Sequence, residues 1–280
     1  MAKLLALDLD GTLFYPKQIK RCIPKKNIKF LRKWIDAGNK VVLVSSRSHQ
    51  FTEKLEKEIQ RPVDYINCTS SQIYHDGKLI RDVYMPKQDF PETIKKIDEK
   101  YKPIGYLMTS KNYPLIIRDN HRISSFFLYL YKIYWLFQFS CREPYILDND
   151  VFDKELKEGE IYKMMIFFGI GKNKNKVCKE INKELREHFP DIESSWVGIV
   201  NEITPTNCNK GAGLEFYCNA LKINPNDVYV VGDSGNDITM FTKFHEHSFC
   251  MAHAYPSVKK YAKYVISRVF KLEKHVLKGE

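Results

Sequence analysis

Short apolar β-type runs alternate with longer amphipathic segments at both ends of this chain, and that alternation restricts the fold more than any other feature. The runs Lys3 to Leu9, Lys40 to Ser45 and Val63 to Asn67 are separated by helical patterns over Lys26 to Ala37, closed by Gly38, and over Gln50 to Ile59. Three more runs come late, at Val228 to Gly232, Ser248 to Ala252 and Tyr264 to Ser267, with helical patterns over Gly213 to Leu221 and Ile238 to Phe244. Apolar strands that each lead into a helix build a parallel sheet covered on both faces, so the expected class is α/β. The middle of the chain differs in character. From about Tyr84 to Trp196 it reads as a helix (Phe90 to Lys100), paired strands near Ile104 to Thr109 and Pro114 to Asp119, and an aromatic helix over Phe126 to Phe139. A strand at Tyr162 to Gly169 and a helix at Lys174 to His188 follow, with the polar Gly169 to Lys176 as the nearest thing to a flexible loop. This predicts a second α/β module inserted into the first: residues 1–83 and 197–280 form the core and residues 84–196 the insertion.

Composition narrows the partners. At 280 residues and 44% hydrophobic content the chain has ample material for a core. Met1-Ala2-Lys3 runs straight into the first strand without the pattern of a secretory signal, so a cytoplasmic location is expected. Seven scattered cysteines with no Cys-x-x-Cys pair suit reduced thiols that fill the core. The net charge of +11 is spread over clusters such as Lys25-Lys26, Arg32-Lys33, Lys95-Lys96 and Lys172 to Lys176, without a recognition helix or a repeated aromatic-basic motif. That distribution argues for solvated faces or a field that draws in small anions rather than for nucleic acid. Phe126 to Phe139 is too short to span a membrane, which takes about 20 apolar residues. A buried helix is the first expectation for it, a lid or a subunit contact the second. His245 and His247 lie close together but outside any ligand-spaced motif, and a polar turn accounts for them.

Ligands of open parallel sheets bind at the carboxyl ends of the strands, near the point where strand order reverses. Three such ends are polar here: Asp8-Leu9-Asp10-Gly11-Thr12, Ser45-Ser46-Arg47 and Asp233-Ser234-Gly235-Asn236-Asp237. Strand alternation would point Asp8 and Asp10 the same way, and Gly11 lets the chain turn tightly after them. Taken alone, Asp-x-Asp-Gly equally suits a strand end capped by turn-forming acids, and Asp233 to Asp237 an Asx turn and helix N-cap. Together, Asp8, the Asp10 carbonyl and Asp233 offer the hard oxygens that Mg²⁺ takes, with substrate phosphate filling further positions. Lys210, before Gly211, would offset clustered acids and hold phosphate as a point charge, although a lone lysine is usually a surface residue. The Ser45 hydroxyl and the Ser46 N–H, at the start of a helical segment, would grip phosphate oxygens.

In this order, Asp-x-Asp-Gly-Thr, the strand-ending Ser45, Lys210-Gly211 and Gly232-Asp233-Ser234-Gly235-Asn236-Asp237 resemble the four motifs of the haloacid dehalogenase superfamily of phosphatases. The insertion between the second and third motifs resembles the α/β cap of the Cof-type branch, as do Glu202-Ile203-Thr204-Pro205 and Met251-Ala252-His253-Ala254-Tyr255-Pro256 its connecting and closing segments. The resemblance covers nearly the whole chain. It implies a Rossmann-like parallel sheet core with an inserted α/β cap domain, and a phosphoaspartyl mechanism dependent on Mg²⁺. Asp8 would be the nucleophile and Asp10 the general acid and base. Ser45, Ser46, Lys210 and Asn236 would bind phosphate. Asp8, Asp10 and Asp233 would hold the metal with help from Ser234, and Asp237 would orient Lys210 or a metal-bound water. Three departures bear on specificity: Ser45-Ser46-Arg47 where Thr-Gly-Arg is frequent, Thr69-Ser70-Ser71-Gln72 where Asn-Gly-Ala is frequent, and His253 where Asn is usual. Ser70 is the candidate to replace the polar substrate contact missing from the second of these.

The expected activity is hydrolysis of small phosphate monoesters, such as sugar phosphates, by a monomer or homodimer with no nucleic-acid or membrane partner. The alternatives are a phosphosugar mutase of the phosphomannomutase type, and a non-catalytic scaffold that binds anions. Intact Asp8 and Asp10 weigh against the scaffold, because crowding two carboxylates raises the cost of ionising them.

Overall fold

The structure is a computed structural model that describes residues 2–87, 90–120, 125–169, 174–188, 190–197 and 200–276. The chain divides into two compact units, one of residues 1–82, 139–141 and 209–280, the other of residues 83–138 and 142–208.

The first unit is built on β1 (Leu4–Asp8), whose five residues are all buried. Alternation along it sends Leu5 and Leu7 into one apolar layer and Leu4 and Ala6 into another, and β2 (Lys40–Val44) repeats the division with Val41 and Leu43 against Val42 and Val44. The first layer is closed by α1 (Lys25–Asp36) and α2 (His49–Ile59) through Leu31, Trp34, Phe51 and Leu55. Each such buried side chain contributes about 1.5–3 kcal/mol. Trp34 also satisfies its indole N–H on the Lys40 carbonyl at 2.9 Å, which fixes α1 to the start of β2. Next come β3 (Asp64–Asn67) and the hairpin strands β4 (Gln72–His75) and β5 (Lys78–Asp82).

In the second unit α3 (Phe90–Tyr101) precedes β6 (Gly105–Ser110) and β7 (Ile116–Asp119). Then come α4 (Ser125–Leu136), β8 (Ile146–Leu147), α5 (Asn149–Glu158) and β9 (Ile161–Phe167), followed by α6 (Lys174–His188), β10 (Ile192–Val197) and β11 (Val200–Pro205). The sheet runs β10-β11-β9-β6-β7-β8, antiparallel except for β7 with β8. Phe90, Ile94, Phe152, Cys178 and Ile181 from α3, α5 and α6 fill one face of it. On the other face Leu107, Leu115 and Ile117 meet Tyr131 of α4 and Tyr145.

The chain then returns to the first unit through α7 (Lys210–Ala220), β12 (Val228–Gly232), α8 (Ile238–Lys243), β13 (Ser248–Met251), the short α9 (Pro256–Lys259), β14 (Tyr264–Ile266) and α10 (Glu273–Val276). Leu214, Tyr217 and Phe241 of α7 and α8 cover the second layer. The completed sheet has the order β14-β13-β12-β1-β2-β3-β4-β5, parallel from β14 to β3 and antiparallel over the last two strands. Strand order reverses between β1 and β12, so Asp8 and the residues after Gly232 leave the sheet at its switch point.

The fold corrects the expectations in three places. The boundary drawn at residue 197 moves to 209, because Glu202–Pro205, read as a connecting segment, lies in the full strand Val200–Pro205, hydrogen-bonded between β10 and β9. Phe139–Cys141, drawn inside the insertion, belongs to the first unit. The aromatic helix is not buried all round: Tyr129, Tyr134 and Leu136 are 60%, 55% and 51% exposed, while Tyr131 packs against the sheet. Of the expected loop at Gly169 to Lys176, residues 170–173 lie outside the described residues and Lys174 already begins α6. Among the described residues no helix is long and apolar enough to cross a membrane.

Candidate active site

Asp8 is the last residue of β1, 4% exposed. Its partner comes from the other end of the chain. Asn209 caps α7, accepting from the Ala212 N–H at 2.9 Å, and places Lys210 in the first helical turn. A cation at a helix N-terminus and 1% exposed is doubly unfavourable. Two short ion pairs offset this: Lys210 Nζ donates to Asp8 Oδ1 and to Asp237 Oδ1, each at 2.6 Å. Asp237 is held in turn by the N–H groups of Asp233 and Ser234, both 2.9 Å from its Oδ2. Gly232 permits this closure, since a Cβ there would lie 2.4 Å from the Asp237 carboxyl carbon.

After Asp8 the chain makes one wide turn over Leu9–Leu13, irregular at Asp10 and Gly11. Gly11 has φ +83°, and a Cβ on it would lie 2.3 Å from an Asp233 oxygen, so the turn passes directly over that carboxylate. Thr12 donates to Asp233 Oδ1 at 3.0 Å. Alternation does not align the two acids, because the strand ends at Asp8 and Asp10 belongs to the turn. The Asp10 carboxylate instead sits in the fork of Arg47, with Oδ2 2.6 Å from Nε and Oδ1 2.7 Å from Nη2. Arg47 lies over the Phe51 ring at 4.1 Å.

Ser45 directly follows β2, buried, and its Oγ accepts from the Arg47 N–H at 3.1 Å. Ser46 is half-buried and does not begin a helix: α2 starts at His49 behind Ser48, because Ser46 and Arg47 are still turning away from the sheet. The loop is tied to the end of β3, where Cys68 donates to Arg47 O and Thr69 to Ser45 O at 3.0 and 3.1 Å. Cys68, Thr69 and Ser70 all have positive φ, an uncommon run of left-handed non-glycine residues that concentrates strain beside the site. Ser70, the candidate for a replacement substrate contact, is fully buried and packs against Gly213 of α7.

Electrostatics follow from three carboxylates, Asp8, Asp233 and Asp237, around one ammonium. Burial and the charge of Asp237 push the Asp8 carboxyl well above the usual range in spite of Lys210, and the same two causes raise Asp233. Burial works against the Lys210 charge, yet Asp237 and Asp8 outweigh it and hold the ammonium protonated. Asp10 is the exception. Burial would raise it, but the Arg47 guanidinium overrides burial and leaves it below the ordinary carboxylate range.

Asp8, Asp233 and Asp237 can each bring an oxygen within 4.8 Å of the others, and Asp8 Oδ2 is buried with no donor among the described residues. An all-oxygen set with excess negative charge and one orphaned oxygen fits a hard divalent cation. Of the residues expected at a metal, Asp8 and Asp233 meet here. The Asp10 side chain is turned to Arg47, and the Ser234 hydroxyl is used within its own loop, 2.7 Å from Asn236 Oδ1 and 3.1 Å from Asp237 Oδ2. Asn236 is half-buried in that loop. Two residues that sequence reasoning left without a role stand out, Thr12 and Arg47, although both lie inside strand-end motifs. His253 lies 3.7 Å from Asp233 and packs its ring against Tyr15 at a tilt of 36°, ring centres 4.0 Å apart. His245 and His247 form the expected turn, His247 stacked on Tyr229.

Residues 5–270 match the family described as haloacid dehalogenase-like hydrolase. Over 291 aligned residues the chain is 26% identical to the 5-amino-6-(5-phospho-D-ribitylamino)uracil phosphatase YwtE of Bacillus subtilis, covering 94% of this chain and 92% of that protein. Among solved structures, SMU.1108c from Streptococcus mutans superposes with a TM-score of 0.79 at 18% identity, covering 99% of each chain. The HAD subclass IIB sugar phosphatase BT4131 superposes with a TM-score of 0.74 at 19% identity, covering 98% of each.

Proposed function

The chain belongs to the haloacid dehalogenase-like hydrolase family, and from that premise we propose that it is a Mg²⁺-dependent phosphatase of small, sugar-phosphate-like monoesters that works through an aspartyl-phosphate. The observation that carries the reading is the buried Asp8 carboxylate, fixed through one oxygen by Lys210 and left with the other free. A carboxylate used only for structure gains nothing from an orphaned buried oxygen, which costs about 1–3 kcal/mol.

In this reading Asp8 attacks phosphorus in line, forming an acyl phosphate as the ester oxygen departs. Asp10 gives the departing alcohol its proton, then takes one from the water that cleaves the acyl phosphate. For both transfers it must exchange the Arg47 fork for the substrate. Lys210, Ser45, Asn236 and the Ser46 N–H bind the phosphoryl oxygens, whose developing charge is the main thing to be stabilised in such a transfer. Asp237 holds Lys210 on Asp8. Asp8, Asp233 and the Asp10 carbonyl, with Ser234 in support, would hold Mg²⁺, whose positive charge would stabilise the same oxygens. The name of the Bacillus subtilis relative, a phosphorylated ribityl compound, supports an ester of a small polyhydroxylated alcohol.

The test is phosphate release with Mg²⁺ from a panel of sugar phosphates, phosphorylated ribityl compounds, nucleotides and p-nitrophenyl phosphate, with Asp8→Asn beside the wild type. The reading expects turnover that vanishes in Asp8→Asn and with chelator. Turnover indifferent to Asp8, or none across the panel, overturns it. Dependence on a hexose 1,6-bisphosphate, with phosphate retained, would instead mark the mutase.

A further inference from the structure

Among the described residues, one other group brings metal-ligating atoms together: Asp64, His75 and Asp76, which can each place one within 4.8 Å of the others. The group lies wholly in the first unit. Asp64 opens β3 in register with Val42 and, through it, with Ala6, two residues before Asp8 and two strands away, so the two metal-ligating groups are separate. His75 ends β4, and Asp76 with Gly77 makes the turn into β5.

The group is ordered from the inside outwards. Tyr217 of α7, fully buried, donates its hydroxyl to Asp64 Oδ2, and the Asp76 N–H donates to Asp64 Oδ1 at 2.8 Å. The His75 ring lies edge-on to Tyr217, ring centres 6.0 Å apart, and its Nδ1 is 2.9 Å from Asp64 Oδ2. An ionised carboxylate only accepts, so Nδ1 carries the proton and Nε2 of the neutral ring is left with a lone pair. That nitrogen faces Asp76 Oδ2 at 3.3 Å. A proton shared between them would draw the two atoms to about 2.7–2.9 Å, the usual length of a charge-assisted hydrogen bond. Two ligands on a tetrahedral Zn²⁺, each bonded at about 2.0–2.1 Å, stand about 3.3 Å apart.

From this geometry we propose that His75 Nε2 and Asp76 Oδ2 bind a divalent cation of the Zn²⁺ class, with Asp64 as the carboxylate that orients the imidazole. A metal-bound imidazole regularly gives its other N–H to a carboxylate, and here that carboxylate is buried and anchored in turn by Tyr217. Mixed nitrogen and oxygen donors suit Zn²⁺ and its first-row neighbours, whereas Mg²⁺ takes oxygen alone. The Asp76 side chain is 76% exposed and that of His75 20%, so water can fill the remaining positions. Binding ties the β4–β5 turn to the start of β3, and the folded chain gains stability with metal concentration by mass action.

The proposal stands apart from the phosphatase reading, and its test needs no turnover. Full-length protein, with Mg²⁺ in excess to compete at Asp8, Asp233 and Asp237, is titrated with Zn²⁺ by calorimetry while ¹⁵N NMR follows the histidine ring nitrogens. The expected result is a Zn²⁺ site whose affinity falls tenfold or more in His75→Gln and in Asp76→Asn. The His75 Nε2 resonance moves on binding, and Nδ1 keeps its proton. Asn adopts positive φ as Asp does, so Asp76→Asn keeps the turn and its loss of binding is not a loss of fold. Equal Zn²⁺ affinity in the wild type and both variants overturns the site, as does no binding up to about millimolar Zn²⁺. A titration that moves other histidines and leaves His75 Nε2 in place overturns it too. A His75 ring that is doubly protonated at neutral pH and indifferent to Zn²⁺ makes the contact with Asp76 an ion pair and likewise refutes the metal.

Discussion

Arg47 shows how much a single side chain decides here. It holds Asp10 in the charged form, so removing it in Arg47→Met should raise the Asp10 pKa back toward the ordinary carboxylate range. Titration of the Asp10 carboxyl carbon by NMR measures this directly, and an unchanged midpoint would refute the pairing. The stability consequence has a definite sign. A carboxyl held below its ordinary value in the folded state contributes stability that is present above the unfolded pKa and lost as pH falls through the folded one. Part of the difference between wild type and Arg47→Met should therefore disappear on acidification below about pH 4, a change that denaturant melts at several pH values would reveal. Asp8, Lys210, Asp233 and Asp237 could be picked out from the sequence because each ends a strand or opens a helix in the expected order. The Arg47 partnership could not. Its charge partner lies 37 residues away and is set by the turn after β1, which strand alternation does not describe.

That turn is the element that fixes Asp233. In Gly11→Ala the new methyl group meets the Asp233 carboxylate in a backbone region costly for any L side chain. The variant should lose about 1–3 kcal/mol of stability, and turnover should fall by roughly a hundredfold as Asp233 is displaced. A Gly11→Ala protein with wild-type turnover would show that Asp233 is not positioned there. The parallel strands and their helices followed from the sequence to within a few residues, because strands buried on both faces carry continuous apolar runs. The hairpin β4–β5 was missed because Gln72, His75, Lys78 and Asp82 dilute its pattern, although Asp76-Gly77, both with positive φ, is a strong hairpin signal. In α5 the N-cap Asp148, which accepts from Asp150 and Val151, was the readable mark. Ile192-Glu193-Ser194-Ser195-Trp196-Val197 offered little: its middle is polar, and only pairing with β11 makes it a strand. The aromatic helix misled for the opposite reason, since an apolar composition says how much surface seeks cover and not how much finds it.

At the scale of the whole molecule, the +11 charge acts on any phosphate ester that approaches. Steering of a dianion by such a field is screened by salt, so kcat/KM should fall by roughly threefold to tenfold from low to above-physiological ionic strength, with kcat little changed. Stopped-time assays across a salt series decide it, and a flat kcat/KM would confine electrostatics to the site itself. The strand order carries a different consequence, one for synthesis. β1 lies between β2 and β12, and its residue Leu4 pairs with Val228. During translation the middle strand therefore waits for a neighbour that emerges more than two hundred residues later, on the order of ten to forty seconds at ordinary elongation rates. For that interval one edge of the nascent sheet has no partner, and Asp8 at its end has neither Lys210 nor Asp233 and Asp237 beside it. The candidate site is thus assembled only as the final third of the chain leaves the ribosome.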